Sequence, residues 1–204
     1  MATRAIAAVA AAFALLSLPA AVASATTANT SAGLPTWDQL YAQQTLNREH
    51  TAAVFPKLDP AARNIDLSDF GNNRVSQVSG QSYLGGQVYF TDAAGAESVY
   101  IQVSGPTTAD TPAAACRNFT RCLQRHETDG STTVVVEYDE ATPQGTATTR
   151  IAEHLRTDGT LVLAEEFNFL PIRGDGSPDG AIRSTFPLTV DQLLTLARDH
   201  AYKI

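Results

Sequence analysis

Four histidines and a scatter of strand carboxylates are the side chains in this sequence able to do chemistry. His50, His126, His154 and His200 lie far apart, and no His-Glu-x-x-His run offers a zinc protease site. No Gly-x-Ser-x-Gly elbow is present for a serine hydrolase, nor a glycine motif that would cradle phosphate. His126 and His154 fall in stretches that read as successive hairpins, so folding could bring them together; the plainer expectation is two exposed or half-exposed strand histidines. Glu137, Asp139 and Glu140, then Glu153, Glu165 and Glu166, supply acids for a glycosidase-type pair, which needs two carboxyls across one cleft. On an acidic chain, strand carboxylates are expected to form a solvated face.

The run Asp175-Gly-Ser177-Pro-Asp179-Gly180-Ala-Ile182 spaces oxygen ligands as a calcium loop does. The match then fails, because Phe186 stands where a bidentate Glu is wanted and Arg183 where another oxygen is needed. Asp175, Ser177 and Asp179 remain a calcium candidate beside the simpler reading of a surface turn, and no cofactor is expected. The loop Arg117 to Arg121 could present a basic side chain from a closed scaffold, as protease inhibitors do, and Asn118-Phe-Thr120 is formally a glycosylation sequon.

The elements that must position these residues centre on Cys116 to Phe169. Asp129-Gly130 and Asp158-Gly159 each divide two strand-like runs, the signature of hairpins with two-residue type I′ turns. Counting outward sets Leu123 opposite Val136, Arg125 opposite Val134 and His154 opposite Leu163. Earlier strands are expected at Arg74–Ser79, Tyr83–Thr91 and Glu97–Ser104, with Gly85-Gly86 marking a bulge or bend. Alternation puts Val88, Phe90, Val99, Ile101 and Val103 on a core face. It puts Tyr83, Gln87, Tyr89, Tyr100 and Gln102 on the other, and Tyr83, Tyr89 and Tyr100 are the binding candidates.

Two helices frame the sheet. Thr36 with Gln39 and Thr189 with Gln192 form capping boxes. Trp37, Leu40 and Tyr41 share the first helix's expected apolar face, whose pattern fades after Gln44. Pro56 and Pro60 should end it, Leu58 to Asp69 reads as a loop carrying Ile65, Leu67 and Phe70 coreward, and Pro106 to Ala115 as another loop. Leu193, Leu194 and Ala197, with Val190 beside them, give the second helix its buried stripe.

The first 25 residues read as a secretory signal peptide, with an apolar run from Ala5 to Ala23 and cleavage after Ala25; an uncleaved membrane anchor is the alternative. Cleavage leaves 179 residues, removes Arg4 and takes the formal net charge from −7 to −8. That balance argues against nucleic acid and anionic membranes as partners. Residues 26–35 form a small, polar tether, and 36–204 one domain without a membrane span, expected as a monomer. After export, Cys116 and Cys122 are expected to form a disulfide, since neither a zinc site nor a Cys-x-x-Cys redox motif fits their spacing.

From Glu97 onward the order of motifs is a Val-x-Ile-x-Val strand, a Pro-rich loop, the two cysteines, two Asp-Gly hairpins and Glu165-Glu166-Phe167-Asn168-Phe169. The closing run is Pro187-Leu188-Thr189-Val190-Asp191-Gln192-Leu193-Leu194. Over about half of the chain this resembles an uncharacterised family of secreted or membrane-anchored actinobacterial proteins with no known activity. The resemblance implies an extracytoplasmic α+β domain and assigns no catalytic residue.

These readings converge on an α+β fold, an antiparallel, meander-like sheet of six or seven strands with a capped helix near each end of the mature chain. The expected role is a secreted, non-catalytic binding or interaction module at the cell envelope, whose partner is a protein or an envelope ligand. A small extracellular hydrolase using a carboxylate or His, and an accessory or inhibitor of a secreted or membrane protein, are the alternatives.

Overall fold

The computed structural model describes residues 34–73, 82–106, 111–142, 144–171, 178–179 and 182–204. The signal peptide, most of the tether, the strand expected at Arg74–Ser79, and Asp175 and Ser177 of the calcium candidate lie outside the described residues.

Helix α1 (Trp37–Leu58) begins as its capping box dictates: Gln39 N–H donates to Thr36 Oγ1 (3.2 Å) and Thr36 N–H to Gln39 Oε1 (2.7 Å). It then runs well past Gln44, because its buried stripe is Leu40, Asn47, Thr51 and Phe55, half of it polar. Those polar groups are satisfied from the far end of the chain. Asn47 Nδ2 donates to Lys203 O (2.8 Å), and Thr51 Oγ1 lies 3.0 Å from the Tyr202 hydroxyl. Pro56 is tolerated within the last turn, where it removes one helical hydrogen bond, and Asp59 N–H closes on Phe55 O at 2.9 Å. Leu40 turns inward, whereas Trp37 and Tyr41, expected beside it, are 49% and 56% exposed.

Strand β1 (Arg63–Leu67) occupies the segment expected as a loop, β2 (Gly71–Asn73) follows it, and both pair antiparallel with β3 (Tyr83–Asp92). Next come β4 (Gly95–Ser104), a short α2 (Pro112–Cys116) in what read as a loop, β5 (Arg121–His126), β6 (Thr132–Thr142), β7 (Gly145–Leu155) and β8 (Leu161–Phe167). A two-stranded pairing of β9 (Leu170–Pro171) with β10 (Pro178–Asp179) precedes α3 (Val190–Arg198).

The main sheet has eight strands in the order β1-β3-β4-β8-β7-β6-β5, with β2 on β3. It is therefore larger than expected and not a simple meander. Two runs of neighbours meet where β8 returns to lie against β4, and the chain between β4 and β5 crosses from mid-sheet to the far edge. No helix among the described residues is long and apolar enough to cross a membrane.

Gly85-Gly86 makes no bulge; the β3–β4 register is unbroken from Tyr83↔Ser104 to Asp92↔Gly95. The glycines instead leave room for rings, Tyr100 over Gly85 and Phe70 over Gly86. Both Asp-Gly hairpins form, each shifted by one residue from expectation. Glu127 N–H donates to Ser131 O (2.9 Å) and Gly130 N–H to Glu127 O (3.1 Å), with Gly130 alone at positive φ, +88°. The Asp158-Gly159 turn repeats this, with Gly159 at φ +84°. These are three-residue loops closed by a glycine bulge rather than two-residue type I′ turns. Leu123 accordingly faces Val135, Arg125 faces Thr133 and His154 faces Val162.

One face of the sheet is the core, with Val88, Phe90, Val99, Ile101, Val103, Val162, Ala164 and Ala152 beneath α1 and α3. Leu193, Leu194, Leu196 and Ala197 bury the inner side of α3, whose Thr189–Gln192 capping box forms as expected. The disulfide Cys116–Cys122 forms and ties α2 to β5.

Candidate functional site

The face opposite the core is the tyrosine face. The pairings lay Gln87, Tyr100, Glu165, Ile151 and Val136 in one row across β3, β4, β8, β7 and β6. Tyr83, Tyr89 and Tyr100 all sit on this face and are half-buried, with Tyr89 opposite Ser98 and Tyr83 opposite Ser104. Tyr138 joins them from the neighbouring row, its ring 5.5 Å from Phe119. The Tyr100 hydroxyl donates to Gln102 Oε1 (3.0 Å), whose Nε2 donates to Ser104 Oγ (2.9 Å). Burial, reinforced by Tyr83 and Glu165, pushes the Tyr100 hydroxyl above its ordinary range, so it is a donor at every ordinary pH.

Glu165 overturns the expectation of a solvated carboxylate. It is 7% exposed, stands directly opposite Tyr100, and has no hydrogen-bond donor among the described residues. Burial alone pushes its carboxyl up to about 7. Tyr100 stands directly across from it and the Tyr138 hydroxyl is close enough to feel its charge, while Gln87, with its Nε2 buried and unpaired among the described residues, lies on the other side of Tyr100. A buried carboxyl beside tyrosine side chains is chemistry that suits a cation, which aromatic rings and a carboxylate both attract.

Glu166, one residue on, points to the core face and is also buried. There the register builds a charge ladder, Glu166↔Arg150, Arg150↔Glu137 and Glu137↔Arg121. Arg150 donates to Glu166 Oε1 (2.9 Å), to Glu137 Oε1 (2.6 Å) and to Leu188 O (3.2 Å), with its guanidinium 3.9 Å over the Phe186 ring. Burial pushes the Glu166 carboxyl up to about 7, against the pull of Leu188 N–H (3.0 Å) and Arg150. This acid is bound into the frame, unlike Glu165. Glu97 is likewise buried on the core face and paired with Arg183.

His126 and His154 do not meet. His126 is exposed, with Nδ1 3.1 Å from Thr132 Oγ1. His154 is 2% exposed, packs edge-on against His200 at 5.8 Å, and lines a pocket of about 210 Å³ with Glu127, Thr128, Asp129, Ser131, Arg198 and His200. Ser131 and Asp129 make the group look like a hydrolase triad, yet its wiring is reversed. Ser131 Oγ donates to Asp129 Oδ1 at 2.6 Å and lies 2.8 Å from His154 Nε2. The hydroxyl proton is committed to Asp129, so Nε2–H donates to the serine, and among the described residues no carboxylate orients Nδ1. Burial, then Arg156 and His200, hold His154 below the ordinary histidine range, hence neutral. Glu127 is tied to Thr133 Oγ1 (2.9 Å) and to Arg198.

Of the calcium candidate, Asp179 extends β10 opposite Leu170, and Arg183 turns to Glu97 and to Asp92 (3.3 Å). Among the described residues no group of three His, Cys, Asp or Glu side chains is placed to hold a metal ion. Sequence reasoning singled out the tyrosines as binding candidates and read Glu165 as one of several solvated strand acids. The signal was the parity of Glu165 with Leu163 and Leu161, which puts it beside Tyr100 only once β8 is known to pair with β4. No family model, curated protein or solved structure matches the chain.

Proposed function

We propose that the protein is an exported, non-catalytic binding module that takes small organic cations on the tyrosine face of its sheet. The observation that carries this is Glu165, a buried carboxyl opposite Tyr100 with no described donor. An ionised carboxylate kept from water costs several kcal/mol unless a counter-charge meets it. A bound cation supplies that charge, and the tyrosine rings add about 0.5–2 kcal/mol of cation–π attraction. The acidic balance, −7 overall, favours cation approach. Export rests on the N-terminal apolar run and on the disulfide, which persists in oxidising compartments. The actinobacterial resemblance rests on motif order alone and agrees with an envelope location.

The test is a thermal-shift panel of ethanolamine, choline and agmatine against neutral glycerol and glucose, because a ligand of the native state raises its melting temperature. The cations are expected to raise it and the neutral compounds to leave it unchanged. A panel without any shift contradicts the proposal. A small hydrolase is the second reading, favoured by the pocket that sets His154 near Glu127. It requires Ser131 to release its proton to His154 rather than hold the 2.6 Å bond to Asp129.

A further inference from the structure

The outer edge of β5 is a further place where, among the described residues, backbone groups have no strand partner. β5 ends the strand order, and only β6 pairs with it among the described residues. Because Glu127 and Ser131 exchange a bond at the hairpin mouth, the bonded pairs upstream are Arg125↔Thr133, Leu123↔Val135 and Arg121↔Glu137. The N–H and C=O groups of Cys122, Gln124 and His126 therefore point away from the sheet.

The side chains beside those groups have one sign. Arg121, Leu123 and Arg125 share a face, with Leu123 63% exposed and the Arg125 side chain 72% exposed. Arg121 is engaged by Asp139 at 2.6 Å, whereas Arg125 reaches Glu127 only at 3.9 Å. Charged edges guard a sheet against pairing with copies of itself. An antiparallel pair of β5 strands centred on Leu123 sets Arg121 against Arg125, which like-charge repulsion opposes. The same arrangement welcomes a strand with acids flanking an apolar residue.

We propose that β5 is a docking edge for an extended acidic peptide segment of a partner protein, which adds a ninth strand antiparallel to β5. Its alternate residues place carboxylates on Arg121 and Arg125 and an aliphatic side chain on Leu123, while its backbone pairs with Cys122, Gln124 and His126. The Cys116–Cys122 bond holds the edge to α2 before binding, so little ordering is lost on docking. This site is separate from the tyrosine face, since Leu123 and Glu165 lie on opposite faces of the sheet.

The test uses the whole protein with a labelled Glu-Thr-Val-Thr-Glu peptide and a Lys-Thr-Val-Thr-Lys control, read by fluorescence anisotropy and by hydrogen exchange at the β5 amides. The acidic peptide is expected to bind, to weaken with salt, and to protect the amides of Cys122, Gln124 and His126. Arg125→Glu should weaken it by about tenfold or more with an unchanged melting temperature, and N-methylation of the peptide backbone should abolish binding. Equal binding of the basic peptide, or unaltered exchange at those three amides with acidic peptide bound, overturns the proposal. Absence of binding by the acidic peptide overturns it as well.

Discussion

Glu165 and Glu166 are adjacent, both buried, and end in opposite circumstances because a strand turns successive side chains to opposite faces. Glu166 meets Arg150 and the Leu188 N–H. Arg150→Ala removes the cation and leaves that carboxyl buried without its charge partner. Denaturant unfolding at neutral pH should show a loss of about 3–5 kcal/mol; a loss under about 1 kcal/mol, typical of a surface pair, contradicts the reading. For Glu165 the effect is on pH. Its folded carboxyl titrates near 7 against 4.5 as reference, so the folded state holds the extra proton between those values. Stability from this group is present at low pH and lost as pH rises from about 4.5 to 7, in total about 3 kcal/mol. Glu165→Gln should leave stability at pH 4 nearly unchanged and raise it, relative to wild type, at pH 8; a pH-independent difference contradicts the assignment.

At the scale of elements, what was legible in the sequence is what local chemistry determines. Both capping boxes form from four-residue windows, and both Asp-Gly turns lie where they read. The hairpin registers slipped by one because Asp-Gly fits two turns, and only the hydrogen bonds of Glu127 and Arg156 choose between them. The length of α1 was hidden because Asn47 and Thr51 look like surface residues until Lys203 and Tyr202 arrive to bond them. Gly86 shows the same dependence on a distant partner, since what it accommodates is the Phe70 ring. A Cβ there would stand 2.5 Å from Cδ2 of the fully buried Phe70 ring, so one of the two must shift. Gly86→Ala is expected to cost about 1–3 kcal/mol by overpacking, visible as a lower melting temperature, whereas an unchanged one means the ring moves freely.

At the scale of the molecule, the seam between β4 and β8 decides the functional reading. It joins two runs of neighbouring strands and brings Tyr100 to Glu165 across a sequence separation that no local pattern encodes. The tyrosine face could be listed from alternation alone, but its acid could not. On the core face Glu166 is bonded by Arg150 and Glu97 is ion-paired with Arg183, and the His154 pocket commits its serine to Asp129. Glu165 is a buried carboxyl to which no described residue donates, and the proposed cation binding rests on it.

The decisive measurement is calorimetric titration of the purified protein with choline and agmatine at pH 6 and pH 8, in wild type and Glu165→Gln. Affinity in wild type should be higher at pH 8, where the carboxylate is ionised, and the substitution should cost about tenfold or more and erase the pH dependence. Equal affinity of the two proteins at both pH values would contradict the account.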